Sequence, residues 1–271
     1  MQSIVITGAS SGIGKATAKY FAEQGWKVAA TMRSPDKETD LTEIENVSLY
    51  QLDVTNLDSV NAAATQILSD FGTVDVLLNN AGYGLAGPLE AVTREQMITQ
   101  FNTNVIGLMD VTRAFLPSMR ANKSGVILNV SSIGGLITFP FLSLYHSTKW
   151  AVEGLSESLY YELGQIGIRV KIIEPGGVAT DFGGRSLVMA LPNEDLPEYQ
   201  PGVQKYIAAQ QANAGGFSTA EQMAEGIFNA ATDGTDQLRY MLGDDAKQLY
   251  GMRTEHGDQA FIAGMIERML S

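Results

Sequence analysis

The chain has 271 residues, 45 % of them hydrophobic and 18 % charged, with 28 glycines, no cysteine and a formal net charge of −12. This is globular composition with length for a sizeable core, and its negative balance argues against nucleic acid or an anionic membrane surface as a partner. The missing thiols exclude disulfides, thiolate metal sites and cysteine nucleophiles, no metal-ligand cluster is expected, and without a basic leader or a window near the roughly 18 apolar residues that span a bilayer a cytoplasmic protein is expected.

Short apolar runs alternate with longer amphipathic segments, the pattern of repeated β-α units. Strands are expected at residues 3–7, 27–31, 48–53, 74–79, 126–131 and 169–174, with a seventh at 239–242. Their near-continuous Val, Ile and Leu content suits strands covered by helices on both faces. Helices are expected at 14–24, 57–71, 94–120 and 144–166. Right-handed crossovers then give an α/β fold: a single-domain, Rossmann-type, doubly wound parallel sheet of about seven strands, with functional motifs just after the strands.

From 181 to 216 the alternation lapses. Gly183-Gly184, Pro192, Pro197 and Pro201 break any long element there, so the segment reads as a substrate-binding insertion on the same domain. Residues 244–271 read as a C-terminal helical extension. From Asp258 onward, Phe261, Ile262, Met265, Ile266, Met269 and Leu270 recur at helical spacing. That face has three possible uses: capping a pocket, filling the core or meeting a second subunit.

Three motifs carry chemistry. The first is Gly8-Ala9-Ser10-Ser11-Gly12-Ile13-Gly14, which follows the first strand and opens the first helix. Glycines in that context let the backbone approach a pyrophosphate, whose charge the helix amides favour, although a plain structural turn has the same spacing. The second lies at the end of the second strand, where an acidic residue would bond an adenosine ribose and repel a 2′-phosphate. Met32 stands there and Arg33 follows. Its planar fork suits a phosphate and selects NADP(H), the alternative being a solvated surface arginine. The third is Tyr145-His146-Ser147-Thr148-Lys149, which puts a phenol and an ammonium on one helical face. A neighbouring cation stabilises the phenolate, so the tyrosine becomes a usable acid/base.

These motifs occur together with Asn79-Asn80-Ala81-Gly82, Ser131-Ser132 and Pro175-Gly176. In that order and spacing, from about residue 3 to 180, the chain resembles the short-chain dehydrogenase/reductase family. The resemblance implies hydride transfer between a nicotinamide and a carbonyl or alcohol carbon, with Tyr145 as acid/base and Lys149 lowering its pKa and bonding the nicotinamide ribose. It implies that Ser132, thirteen residues before the tyrosine, bonds the substrate oxygen, and that Asn104 holds a water linking the lysine to solvent. For the cofactor it implies Ile13 at the pyrophosphate, Asp53 and Val54 at the adenine, and Asn80, Ala81 and Gly82 beside the adenosine ribose. Pro175 and Gly176 would form the rim, with Val178 and Thr180 at the carboxamide.

Phe139, Pro140, Phe141 and Leu144, with Phe182, Leu187, Val188, Met189 and Leu191, suit either an apolar pocket for a hydrophobic small molecule or plain core packing. His146 either faces that pocket or packs within its helix. The resemblance also implies a homodimer or homotetramer through the helices at 94–120 and 144–166. A non-catalytic NADP(H)-binding sensor is the rival reading. A complete Asn104, Ser132, Tyr145 and Lys149 set argues against it, because a sensor has no use for acid/base groups.

Overall fold

Ser3-Ile4-Val5-Ile6-Thr7 is buried at every position, as a strand covered on both faces must be. In the computed structural model, which describes residues 1–180, 186–213 and 216–271, this run is β1 (Ser3–Thr7) at the middle of a parallel sheet. The chain continues through α1 (Gly12–Glu23), β2 (Lys27–Met32), β3 (Val47–Gln51), α2 (Leu57–Phe71), β4 (Val76–Asn79) and a short β5 (Gly84–Ala86). Next come α3 (Arg94–Phe101), α4 (Gly107–Asn122), β6 (Gly125–Val130), α5 (Ser143–Gly164), β7 (Ile168–Pro175), and the short β8 (Val178–Ala179) and β9 (Leu187–Met189). The last part holds α6 (Gln200–Asn213), β10 (Ser218–Thr219), α7 (Ala220–Thr232), β11 (Arg239–Leu242) and α8 (Asp244–Leu270).

Among the described residues the main sheet has seven strands in the order β3-β2-β1-β4-β6-β7-β11. Every pairing is parallel. The chain winds outward from β1 through β2 and β3, then returns to β4 and winds the other way. The crevice at the carboxyl ends of β1 and β4 is therefore a topological switch point, where ligands bind in such sheets. Alternation along β1 sends Ile4 and Ile6 into a core under α1 and α7, and Val5 into a second core under α2, α4 and α5.

Three elements depart from the sequence-based expectations. The helix expected at 94–120 is split into α3 and α4 by a π-type turn over Asn102–Ile106. Gly107 follows it, and a Cβ there would stand 2.5 Å from the Val54 carbonyl oxygen, so only glycine lets α4 start so close to the strand ends. The prolines were expected to prevent any long element in 181–216, yet α6 runs for 14 residues. Pro201 sits in its first turn, where a missing N–H breaks no helical bond. Finally, α8 kinks at Gly257, whose φ of +79° is outside the helical region. Phe182, Gly183 and Gly184 lie outside the described residues.

Candidate active site

The motifs read from the sequence do follow the strands. Gly8 comes after β1, Arg33 after β2, Asp53 after β3, Asn80 after β4, Ser132 after β6 and Gly176 after β7, all lining one cavity of about 2090 Å³. Ser10, Ser11, Gly12, Ile13, Val54, Ala81, Gly82, Pro175, Val178, Thr180, Tyr145 and Lys149 line it as well. Gly14 and Asn104 do not: both lie behind its wall.

The glycine turn is held from below. Gly8 and Gly12 have φ of +69° and +54°, a region that costs glycine nothing. Thr7 Oγ1 accepts the amides of Asn80 and Ala81 at 2.9 and 3.0 Å, and Asn80 Nδ2 donates to the carbonyls of Thr7 and Gly8 at 2.9 and 3.2 Å. The Asn80 amide is thus spent on shaping the turn. A Cβ on Gly14 would stand 2.4 Å from the Gly8 oxygen and 2.5 Å from Asn80 Nδ2; this glycine is a packing requirement. No side chain caps α1 at Ser11, so the amino end of the helix is left for an anion. The residues fit a dinucleotide: a glycine cradle, an uncapped helix start and a cavity open along the switch point.

At the β2 end of the cavity, Met32 is buried and Arg33 is exposed, without an ion pair among the described residues. Two more cations line the same stretch. Lys15 bridges Glu38 and Asp40 at 2.9 and 2.8 Å, and Lys19 stands 3.8 Å from Asp40. Asp53 folds back on its own turn, its Oδ1 accepting the Thr55 amide and hydroxyl at 2.9 and 2.8 Å.

At the other end, α5 starts beside the carboxyl end of β6. Ser132 Oγ accepts the Gly134 amide at 3.0 Å and is hydrogen-bonded to the Tyr145 phenol. One turn on, Lys149 is 7 % exposed; its Nζ donates to the Val130 carbonyl at 2.9 Å and lies 5.7 Å from the Tyr145 ring centre. Burial pulls the lysine down to about 8, against the opposing charge of Glu153. Burial likewise pushes the Tyr145 phenol up, against its bond to Ser132. Desolvation is the largest cause of both shifts.

Asn104 lies in the π-type turn, a distortion frequent at functional sites. Its side chain clips the main chain of Tyr83: Oδ1 accepts the amide at 3.0 Å, and Nδ2 donates to the carbonyl at 2.9 Å and to Thr148 Oγ1 at 3.0 Å. His146 is 3 % exposed and sits on the cavity wall, with both ring nitrogens bonded to the loop after Ser132. The Phe139 amide donates to its Nε2 at 2.9 Å, so the proton sits on Nδ1, which meets the Gly134 carbonyl at 2.7 Å. The ring ties the loop after Ser132 to the helix of Tyr145. Burial drives it down to about 4.

The apolar wall has a third cluster, in which Phe261, Met265 and Met269 of α8 are buried with Tyr206 and packed by Tyr145, Leu187 and Met189. Met265 and Met269 also line the cavity, so the α8 face both fills a core and closes the site. Sequence reasoning missed Tyr206 and Gln210, which line the cavity from α6 with Gln210 Nε2 donating to the Tyr206 hydroxyl at 3.0 Å. Val203, Tyr206, Ile207 and Gln210 do carry helical spacing, but the prolines masked it. Asp245 was missed too: its Oδ2 accepts the Gly177 amide at 2.6 Å, while its Oδ1 is buried without a partner.

Residues 2–187 match the family model described as short chain dehydrogenase. A 3-ketodihydrosphingosine reductase of Bacteroides thetaiotaomicron is 43 % identical over 73 % of this chain and 72 % of its own. A short-chain dehydrogenase structure from Streptomyces avermitilis aligns with a TM-score of 0.84 at 31 % identity, covering 98 % of this chain and 94 % of that one. An alcohol dehydrogenase structure from Thermococcus sibiricus, complexed with 5-hydroxy-NADP, aligns with a TM-score of 0.73 at 29 % identity, covering 90 % and 96 %. A match that runs from the glycine turn through the Tyr145 helix, on a sheet shared with solved relatives over most of its length, leaves one assignment: the chain belongs to the short-chain dehydrogenase family of oxidoreductases.

Proposed function

We propose that the protein is an NADP(H)-dependent reductase of a hydrophobic carbonyl compound, with Tyr145 as its general acid/base. The observation that carries this reading is the meeting of Ser132, Tyr145 and Lys149 at the carboxyl end of β6, in the cavity that the glycine turn opens. A nicotinamide bound there supplies the hydride, or takes it in the reverse direction. Ser132 and Tyr145 then offer two hydroxyls to one carbonyl oxygen, placed before charge develops on it. As the carbonyl carbon gains the hydride, the Tyr145 proton passes to the oxygen and Lys149 steadies the phenolate left behind. Asn104 acts as a positioning residue, fixing Tyr83 at the cavity wall and Thr148 in the Tyr-Lys turn.

Arg33 supports NADP(H) over NAD(H), since no acidic residue occupies the end of β2, and the Thermococcus relative binds an NADP derivative. For the substrate, Leu187, Met189, Met265 and Met269 make an apolar wall, which suits a lipophilic ketone, and the Bacteroides relative is a 3-ketodihydrosphingosine reductase. Residues 187–213 and α8 together would be the part that selects it. The test is a panel of ketones and aldehydes with NADPH and with NADH, repeated with Arg33→Ala. Losing a charged hydrogen bond to phosphate should raise the KM for NADPH about tenfold or more and leave that for NADH nearly unchanged. Equal effects on both cofactors would contradict the assignment.

A further inference from the structure

Tyr145, Lys149, Glu153 and Glu157 follow one another at four-residue steps along α5, so they form one stripe down the helix. The first two belong to the cavity and the third lies beneath it. Glu153 is 5 % exposed and pairs with Arg239, which reaches in from β11; the same guanidinium holds Glu174 of β7 at 2.9 Å and Glu157 at 2.9 Å. Glu174 is 1 % exposed. Two buried carboxylates therefore share one arginine, and the charge of Glu153 opposes ionisation of Glu174. Glu153 Oε1 and Ser131 Oγ lie side by side against Gly135, both buried.

Such an assembly is costly as mere packing, because buried carboxylates are destabilising unless their charge is used or paired. Its use lies one turn away. Lys149 is buried with a neutral carbonyl as its hydrogen-bond partner and no carboxylate within ion-pair distance among the described residues. We propose that Glu153 is a positioning residue that keeps Lys149 cationic, with Arg239 and Glu174 setting how much negative charge Glu153 carries. The directions agree. The charge of Glu153 opposes the effect of burial on Lys149, while burial and the neighbouring acid push Glu174 up to about 7, and burial pushes Glu153 up as well. The groups facing Glu153 are Lys149 and Glu157 on its own helix, Glu174 from β7 and Arg239 from β11; Lys149 is the one cation among them that lines the cavity.

The proposal rests on the reading of Lys149 as the working cation of the site, so its test includes a measurement that needs no turnover. Protein labelled with carbon-13 at the lysine ε-carbon is titrated by NMR, and the Lys149 resonance is identified by its loss in Lys149→Met. Glu153→Gln should lower the pH at which that resonance titrates by about one unit, and Glu153→Asp should restore it. Glu174→Gln, which removes the competing acid, should leave the titration in place or move it upward. In carbonyl reduction the alkaline limb of the kcat/KM profile should move down with Glu153→Gln by a similar amount. An unchanged Lys149 titration in Glu153→Gln overturns the proposal, as does a downward shift in Glu174→Gln if the first variant fails to fold. A shifted titration in a protein that reduces no carbonyl would instead leave the cluster's role standing and count against the reductase assignment.

Discussion

Tyr145 and its neighbour His146 show how one helical turn divides its work. Tyr145 meets Ser132 in the cavity, whereas His146, also on its wall, holds the Gly134 carbonyl and the Phe139 amide. The Phe139 bond needs the neutral ring with its proton on Nδ1, and burial holds the imidazole down at about 4, below its usual 6.5. The folded value is the depressed one, so this contribution is complete above pH 6.5 and is lost as pH falls toward 4. The loss amounts to about 3 kcal/mol on the usual conversion of pKa shift to free energy. Denaturation midpoints taken from pH 7 to 4 should fall more steeply for the wild type than for His146→Asn, and parallel curves would contradict the role. The Tyr145-to-Lys149 spacing was legible in the sequence because two reactive groups four residues apart carry their own geometry. Tyr206, Gln210 and Asp245 were not, because each reaches the cavity through tertiary packing from a distant part of the chain.

The elements that carry the dinucleotide cradle were legible for a related reason. Strand, glycine turn and helix are contiguous in sequence, so Gly8, Gly12 and Gly14 could be placed without knowing what packs on them. Their roles separate only in three dimensions: Gly8 and Gly12 supply backbone conformation, and Gly14 supplies close approach. Gly14→Ala should push α1 away from Gly8 and Asn80, weakening NADPH binding at least tenfold while far-ultraviolet circular dichroism stays that of the wild type. Unchanged affinity by fluorescence titration would contradict this. The helices that failed expectation did so for local physical reasons. Pro201 looks like a breaker in sequence although a first helical turn tolerates it, and the π-type turn at Asn102–Ile106 leaves no mark in hydrophobic periodicity, since the helical pattern resumes beyond it.

Across the whole molecule, the winding of the sheet brings the parts together. Reversal between β1 and β4 opens the crevice, and parallel pairing places every strand's carboxyl end, with the loop after it, on the same edge. That much follows from alternating β-α units and right-handed crossovers. What the pattern leaves open is the wall built by α6 and α8, where long-range packing chooses the partners and with them the shape of the substrate. Among the described residues, no helix is long and apolar enough to cross a membrane. The central claim is that the half-buried Tyr145 phenol beside the carboxyl end of β6 donates the proton that completes carbonyl reduction. It is tested most directly by Tyr145→Phe, with NADPH binding read by fluorescence and NADPH consumption read by absorbance on a ketone that the wild type reduces. The account predicts wild-type NADPH affinity with turnover lower by about 10²–10⁴-fold; turnover near the wild-type rate would contradict it.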